Sequence, residues 1–245
     1  MAGFLSRLGH REKAKICSAV VVAAGSATRM EGIDKILTTL GDVPVLVHTL
    51  RVFQRCPEIS EVVVVTREDL LLDVSQVCKA FALAKVTKVV VGGSQRALSV
   101  LAGLRETRQD ADLIAIHDGA RPLVTDEILQ ETVARAVVTG AAAPAIPVTD
   151  TIKRVEEGFA VDTVDRSTLF AVQTPQIFQA DLIRAAVQQS VEENLTLTDE
   201  CAAVERLGMK VAMTRGSREN IKITTPFDLL LGEAILDSRM GGEGI

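Results

Sequence analysis

The stretch VVVAAGSATRMEGIDK, from Val20 to Lys35, governs how the rest of this chain is read. The apolar run Ala19 to Val22 has the β-branched content of a strand buried on both faces. It empties into small residues, Ala23-Ala24-Gly25-Ser26-Ala27, and then presents Arg29 and Lys35. A loop without bulk lets polyphosphate oxygens reach backbone N–H groups, and fixed cations can follow. The layout suits an enzyme that holds a triphosphate and splits it. Its glycines, Gly25 and Gly32, fit neither G-x-G-x-x-G nor a P-loop. On this loop alone, the two cations read more readily as solvated charges, and matching features at later strand ends shift that reading.

Working outward, strand and helix patterns alternate. Ile16–Ala23, Glu61–Thr66, Val86–Val91, Leu113–His117 and Ala141–Val148 read as strands. Helices are expected after Gly41-Asp42-Val43-Pro44, with Asp42 as cap and Leu46, Thr49, Leu50 and Phe53 on the inner face. Others are expected over Asp69–Leu83, Gln95–Thr107 and Asp126–Val138. This alternation implies right-handed crossovers and an α/β fold with a mostly parallel twisted sheet flanked by helices. Ligands then belong at the carboxyl ends of the strands. The rhythm breaks at Asp150–Arg166, where apolar and polar residues alternate about Glu157-Gly158, a hairpin signal. It is expected to project as an arm over about 148–170. Helices at Gln179–Glu192 and Thr198–Leu207, a strand at Met209–Thr214 and a helix after Pro226 complete the pattern. One domain over 16–235 is expected, with an N-terminal extension (1–15) and a C-terminal tail (236–245).

Composition narrows the function classes. The chain has 245 residues and a net charge of −5, which argues against coating a nucleic acid. It has no Trp and no Tyr, so a surface that stacks bases on aromatic rings is not expected. No apolar run is long enough for a membrane span, and residues 1–15 lack the continuous apolar core of a signal sequence. The four cysteines, Cys17, Cys56, Cys78 and Cys201, form no C-x-x-C pair and read as free thiols. A cytoplasmic protein is the expectation, with partners that are neither nucleic acid nor membrane.

Three later segments also follow strand or hairpin ends. In Gly92-Gly93-Ser94-Gln95-Arg96-Ala97-Leu98-Ser99, two glycines expose backbone polar groups and Ser99 lies one turn into a helix. Such a surface can read a base edge, or can be a tight turn capped by Ser94. In His117-Asp118-Gly119-Ala120-Arg121-Pro122, Asp118 is well placed to help hold Mg²⁺ against phosphates. His117 reads as a packed strand-end residue rather than a catalyst, and Arg121 as an anion clamp or a structural bridge. The last set is Thr151, Lys153 and Arg166 around the hairpin, Thr174, Thr198-Asp199-Glu200 and Asn220-Ile221-Lys222. Thr198 reads as a helix cap or as part of a phosphate site.

In sequence order, AAG-x-x-x-RM with its downstream Lys, GG-x-x-R-x-x-SV, HD-x-ARP, P-x-x-DTIKR, TVDR, TPQ-x-F, TDE and NIK-x-T stand between Val20 and Leu230. In this the chain resembles the 2-C-methyl-D-erythritol 4-phosphate cytidylyltransferases. Ala27 departs from the family's second loop glycine, and Ile36 from the glutamine that usually follows the lysine. The resemblance implies a Rossmann-like nucleotidyltransferase fold with a protruding β-hairpin arm. It implies transfer of CMP from CTP to methylerythritol 4-phosphate in the non-mevalonate route to isoprenoids, with Mg²⁺ as cofactor. Arg29 and Lys35 would stabilise transition-state charge, and Arg166 and Lys222 would position the acceptor phosphate. Ala23, Ala24, Gly25, Gly93 and Ser99 would bind CTP. Arg121, Thr151, Thr174 and Thr198 would line the acceptor site, with Asp118 at the metal. A homodimer is implied, its arm residues Thr151 and Arg166 acting in trans. Two other readings are a ribitol 5-phosphate cytidylyltransferase and a nucleotide-binding module of this fold without catalysis. Lys153, Arg166 and Glu200 favour the methylerythritol enzyme over the first, and the charges at successive strand ends argue against the second.

Overall fold

The computed structural model describes residues 15–25 and 34–241. Strand β1, Cys17–Val22, is buried along nearly its whole length, as its valine run requires. Thr39–Leu40 (β2) and Val43–Pro44 (β3) pair about Gly41, whose φ of +60° favours a residue without a side chain. This small hairpin corrects the expected helix start: Asp42 lies in its turn, and α1, Val45–Arg55, begins after Pro44 without a side-chain cap.

Next come β4 (Ile59–Thr66), a 3₁₀ turn at Glu68–Leu70, α2 (Leu71–Ala80), β5 (Val86–Val91), α3 (Arg96–Glu106), β6 (Leu113–Asp118), α4 (Asp126–Thr139) and β7 (Ala141–Pro147). The hairpin is β8 (Ile152–Glu156) with β9 (Phe159–Val164), followed by a 3₁₀ turn at Arg166–Thr168. β10 (Phe170–Val172), β11 (Gln176–Gln179), α5 (Ala180–Glu192), α6 (Glu200–Arg206), β12 (Ala212–Arg215) and α7 (Pro226–Gly241) end the described chain. α7 passes the expected boundary at residue 235.

The main sheet runs β10-β7-β11-β6-β1-β4-β5, with β12 added beside β7. β1 pairs in parallel with β4 and β6, and β4 with β5, so one half of the sheet is wholly parallel. The other half is mixed. β11, which composition does not signal, runs antiparallel between β6 and β7. β7 runs unbroken through Pro144 to Pro147, two residues that can accept but not donate in the ladder.

Helices cover both faces. Phe53 of α1, Val74 of α2 and Leu129 of α4 pack on one side, with Ile235 of α7 against them. Leu104 of α3, Ile183 of α5 and Val204 of α6 pack with Phe178 on the other. Fully burying one such Phe or Leu stabilises the fold by about 1.5–3 kcal/mol. Gly103 lets α3 lie close on the sheet: a Cβ there would fall 2.4 Å from Val20 Cγ1. β8 and β9 form a two-stranded sheet of their own, apart from the main one, with Val155, Phe159 and Val161 exposed. The hairpin is therefore an arm rather than an edge of the sheet.

Candidate active site

The carboxyl ends of β1, β4, β5 and β6 frame one cleft of about 490 Å³. Backbone bonds still tie neighbouring chains just past these strand ends. Ala23 N donates to Val65 O at 2.7 Å, and Gly119 N to Val22 O at 2.8 Å. Ala23, Ala24 and Gly25 form one wall with Lys35. Gly92 and Gly93 form another with Ser94, Gln95, Arg96 and Ser99. Asp118, Ala120 and Lys222 close it. Gly92 is required by close approach: a Cβ there would stand 2.7 Å from Ser99 Oγ and 2.8 Å from Ala24 Cβ.

Ser99 shapes the glycine turn. Its Oγ accepts from Gly93 N at 3.1 Å and lies 3.2 Å from both Gly93 O and Gln95 O. The expected Ser94 cap is absent; α3 begins after Gln95, with no side-chain cap bond. Across the cleft, a Cβ on Gly25 would lie 3.7 Å from Lys35 Nζ, so the ammonium stands directly over the small-residue wall. Arg29 and Ala27 lie outside the described residues.

Asp118 is the electrostatic centre. Arg96 Nη1 donates to its Oδ1 at 2.6 Å, Lys222 Nζ lies 2.9 Å from Oδ2, and Arg121 Nε lies 3.5 Å from Oδ2. Burial alone would raise this carboxyl's pKa, but Arg96, Lys222 and Arg121 together hold it well below the usual carboxylate range. Arg96 also grips the buried Glu200 with two bonds, Nε to Oε1 at 3.0 Å and Nη2 to Oε2 at 2.8 Å. Burial raises the Glu200 pKa, with Arg96 opposing. The cluster holds three cations against two carboxylates, leaving a net positive charge in an otherwise acidic chain. That is a setting for anions.

Arg121 is both bridge and cation: its Nη1 donates to Asn220 O at 2.7 Å, tying β6 to the segment that carries Lys222. Thr174, expected at the acceptor, lies behind the cleft lining. Its buried hydroxyl accepts from Asp118 N at 3.1 Å and meets His117 Nδ1 at 3.0 Å. His117 is packed, as its strand position implies; its Nε2 lies 3.3 Å from Arg121 O and its ring 5.1 Å from that of Phe53. Burial lowers its pKa to about 3, so the imidazole is neutral at pH 7 and no general base for the cleft.

Thr198 is not the cap of α6. Asp199 is, accepting from Ala202 N at 3.0 Å, while Gln176 Oε1 accepts from Glu200 N and Cys201 N at 3.1 and 3.0 Å. Two side chains thus occupy three amides that would otherwise be open to a phosphate. Thr198 is exposed and, like Thr151 and Arg166, lies outside the cleft lining. Arg166 donates to Thr149 O at the base of the arm.

Sequence reasoning did not assign site roles to Arg96, Glu200 and Gln176, although all three lie in the quoted motifs. It missed Arg67 altogether. For Arg96 and Glu200, the available signal was two opposite charges, each beside a strand-end or helix-start motif.

The model of the 2-C-methyl-D-erythritol 4-phosphate cytidylyltransferase family matches residues 17–238. The chain belongs to this family. It is therefore a CTP-dependent nucleotidyltransferase of isoprenoid biosynthesis. The cytidylyltransferase of Caldanaerobacter subterraneus subsp. tengcongensis is 43% identical over 222 residues, covering 89% of this chain and 98% of its own. That of Halalkalibacterium halodurans is 44% identical over 220 residues, covering 89% and 96%. Among solved structures, the 4-diphosphocytidyl-2C-methyl-D-erythritol synthase of Anaerococcus prevotii superposes with a TM-score of 0.81 at 29% identity, covering 91% of this chain and 97% of its own. Family membership favours catalysis over the non-catalytic module, and the methylerythritol acceptor over ribitol 5-phosphate.

Proposed function

We propose that this cleft transfers CMP from CTP to 2-C-methyl-D-erythritol 4-phosphate, giving 4-diphosphocytidyl-2-C-methyl-D-erythritol and pyrophosphate. An acceptor phosphate oxygen forms a bond to the α-phosphorus. The bond from that phosphorus to the β-phosphate bridge breaks, and pyrophosphate leaves with its electron pair. A phosphate monoester is already an anionic nucleophile, so no general base is needed; the neutral, sealed His117 fits this. The barrier lies in bringing anions together and in charge on the leaving group.

The observation that carries this reading is the division of the cleft. Lys35 stands over the small-residue wall, while Lys222 and Arg121 converge on Asp118 at the other side. Lys35, with Arg29, takes the triphosphate charge. Lys222 and Arg121 hold the acceptor end for in-line attack, an orientation effect. Ala23, Ala24, Gly25, Gly93 and Ser99 surround the nucleotide, reading the base by backbone groups without aromatic stacking.

Mg²⁺ fits as a metal brought with the triphosphate. Three of the four lone-pair positions of Asp118 face Arg96, Arg121 and Lys222, leaving one on Oδ1. Among the described residues there is no cluster of three or more metal-ligating side chains. One carboxylate with phosphates and water is a usual Mg²⁺ donor set. Bound there, the ion would neutralise charge on phosphate oxygens.

The enzyme works as a homodimer, with Thr151 and Arg166 completing the acceptor site of the partner. Support comes from the free-standing arm, whose Val155, Phe159 and Val161 are 52–76% exposed, and from the absence of Thr151 and Arg166 from the cleft lining. A cytoplasmic enzyme is supported by four buried cysteines that are all free thiols. No described helix is long and apolar enough to cross a membrane.

Pyrophosphate release from CTP and Mg²⁺ tests the reaction, with methylerythritol 4-phosphate and ribitol 5-phosphate as alternative acceptors. Release is expected with the first. Lys35→Ala is expected to lower turnover by roughly a hundredfold or more, the scale of losing one preorganised charge donor. Preference for ribitol 5-phosphate would overturn the acceptor, and loss of CTP affinity with unchanged turnover would overturn the role of Lys35.

A further inference from the structure

Arg67 follows β4 and lies at the edge of the cleft, where the reaction above gives it no part. Its guanidinium holds two residues that bracket the intervening 26–33 stretch. Nη1 donates to Gly25 O at 3.3 Å, and Nη2 forms an ion pair with Asp34 Oδ2 at 2.8 Å. The same fork is braced from outside by Asp69, with Nε to Oδ1 at 3.0 Å and Nη2 to Oδ2 at 2.9 Å. Both the Arg67 and Asp34 side chains are largely shielded from water, at 27% and 19% exposure, whereas Asp69 is 65% exposed. The grip on Asp34 is therefore screened less than the brace.

Asp34 has a second task. Its Oδ1 accepts from Ile36 N at 3.2 Å, and its carbonyl accepts from Thr38 N at 2.9 Å and Leu37 N at 3.2 Å. It thereby organises the turn that carries Lys35. This turn is joined to α1, because Ile36 O accepts from Leu46 N and Thr38 O from Val45 N, each at 2.9 Å. One guanidinium thus holds the exit of β1 and the turn that places the Lys35 ammonium over Gly25. A planar fork with five donors can span a carbonyl and two carboxylates at once, and an ammonium on a flexible stem cannot hold that geometry.

We infer that Arg67 is a positioning residue for CTP, fixing Lys35 against the Ala23–Gly25 wall through Asp34. This rests on the reading of that wall as the triphosphate site. The test compares wild type with Arg67→Ala, Arg67→Lys, Asp34→Asn, the Arg67→Ala/Asp34→Asn double variant and Asp69→Asn. Asparagine at 34 keeps an acceptor for Ile36 N while removing the ion pair.

Arg67→Ala and Asp34→Asn are each expected to lower kcat/KM for CTP about tenfold, with KM for the acceptor within about twofold. The double variant should be no worse than the poorer single, because both changes cut one contact. Arg67→Lys should resemble Arg67→Ala, and Asp69→Asn should stay within about twofold of wild type. Amide exchange over 34–38 should accelerate about tenfold in Arg67→Ala and Asp34→Asn, with protection in β1 and β4 retained.

Unchanged exchange over 34–38 would overturn the clamp whatever the kinetics. So would multiplying losses in the double variant, or equal losses for both substrates, which mark general destabilisation. A wild-type enzyme that releases no pyrophosphate from CTP would overturn the assigned reaction, while the exchange measurement still decides whether Arg67 fixes the turn.

Discussion

His117 shows how one residue type takes its role from its surroundings. A carbonyl only accepts, so Nε2 carries the proton donated to Arg121 O, and Nδ1 accepts from the Thr174 hydroxyl. That hydroxyl in turn accepts from Asp118 N, so each partner has its donor or acceptor matched. Burial places the imidazole pKa at about 3, below its unfolded value. The folded state therefore binds fewer protons than the unfolded state between about pH 6.5 and 3, and stability from this site falls as pH drops through that window. Between pH 7 and pH 5, the site is expected to cost about 2 kcal/mol. Urea unfolding at the two pH values should show a smaller loss for His117→Gln than for wild type. Asp118 acts with the same sign in a lower window: its depressed pKa keeps it ionised across this range, and its contribution is lost only as pH falls below the unfolded carboxylate value.

At the scale of elements, the site is a set of strand ends cross-tied by charge. Arg96 at the start of α3 joins the end of β6, through Asp118, to the start of α6, through Glu200. Removing Arg96 leaves the buried Glu200 without its cation, while Asp118 keeps Lys222 and Arg121. Arg96→Met is expected to destabilise the enzyme by about 3–5 kcal/mol, read from chemical unfolding. Changing Arg96 and Glu200 together to apolar residues should cost less than the sum of the separate changes; strict additivity would sink the coupling. Gln176 ties β11 to the same helix start through the amides of Glu200 and Cys201, which explains why α6, only seven residues long, is held without help from Thr198.

At the scale of the whole molecule, the arm and the cleft make separate contributions. Phe159 is 76% exposed on a hairpin outside the main sheet, while the cleft lining lacks Thr151 and Arg166. If the arm serves a partner subunit, an inactive Lys35→Ala chain mixed with an inactive Arg166→Ala chain should regain activity. In a random mixture, each heterodimer has one site with both residues intact, so recovery is expected at about a quarter of wild-type activity per chain. No recovery after demonstrated subunit exchange would overturn sharing in trans. Arg166→Ala homodimers should also show a raised KM for the acceptor.

The sequence by itself determined the alternating elements, the strand ends that carry chemistry and the family. Those signals are local: valine runs, small residues after a strand, charges at set spacings and a hairpin about Glu157-Gly158. It also placed Ser99, Asp118 and Lys222 at the cleft, because each lies beside a strand end or a motif at the return of the chain. The tertiary structure decided which partners those residues have. β11 enters antiparallel between β6 and β7, bringing Thr174 under Asp118 and Gln176 under α6, contacts 56 and 24 residues apart in sequence. Arg67 meets Gly25 across 42 residues for the same reason: β1 and β4 are parallel neighbours whose ends must coincide. Propensity and spacing are properties of nearby residues, whereas a buried ion pair or a hydroxyl's partner depends on which strand ends the sheet sets side by side.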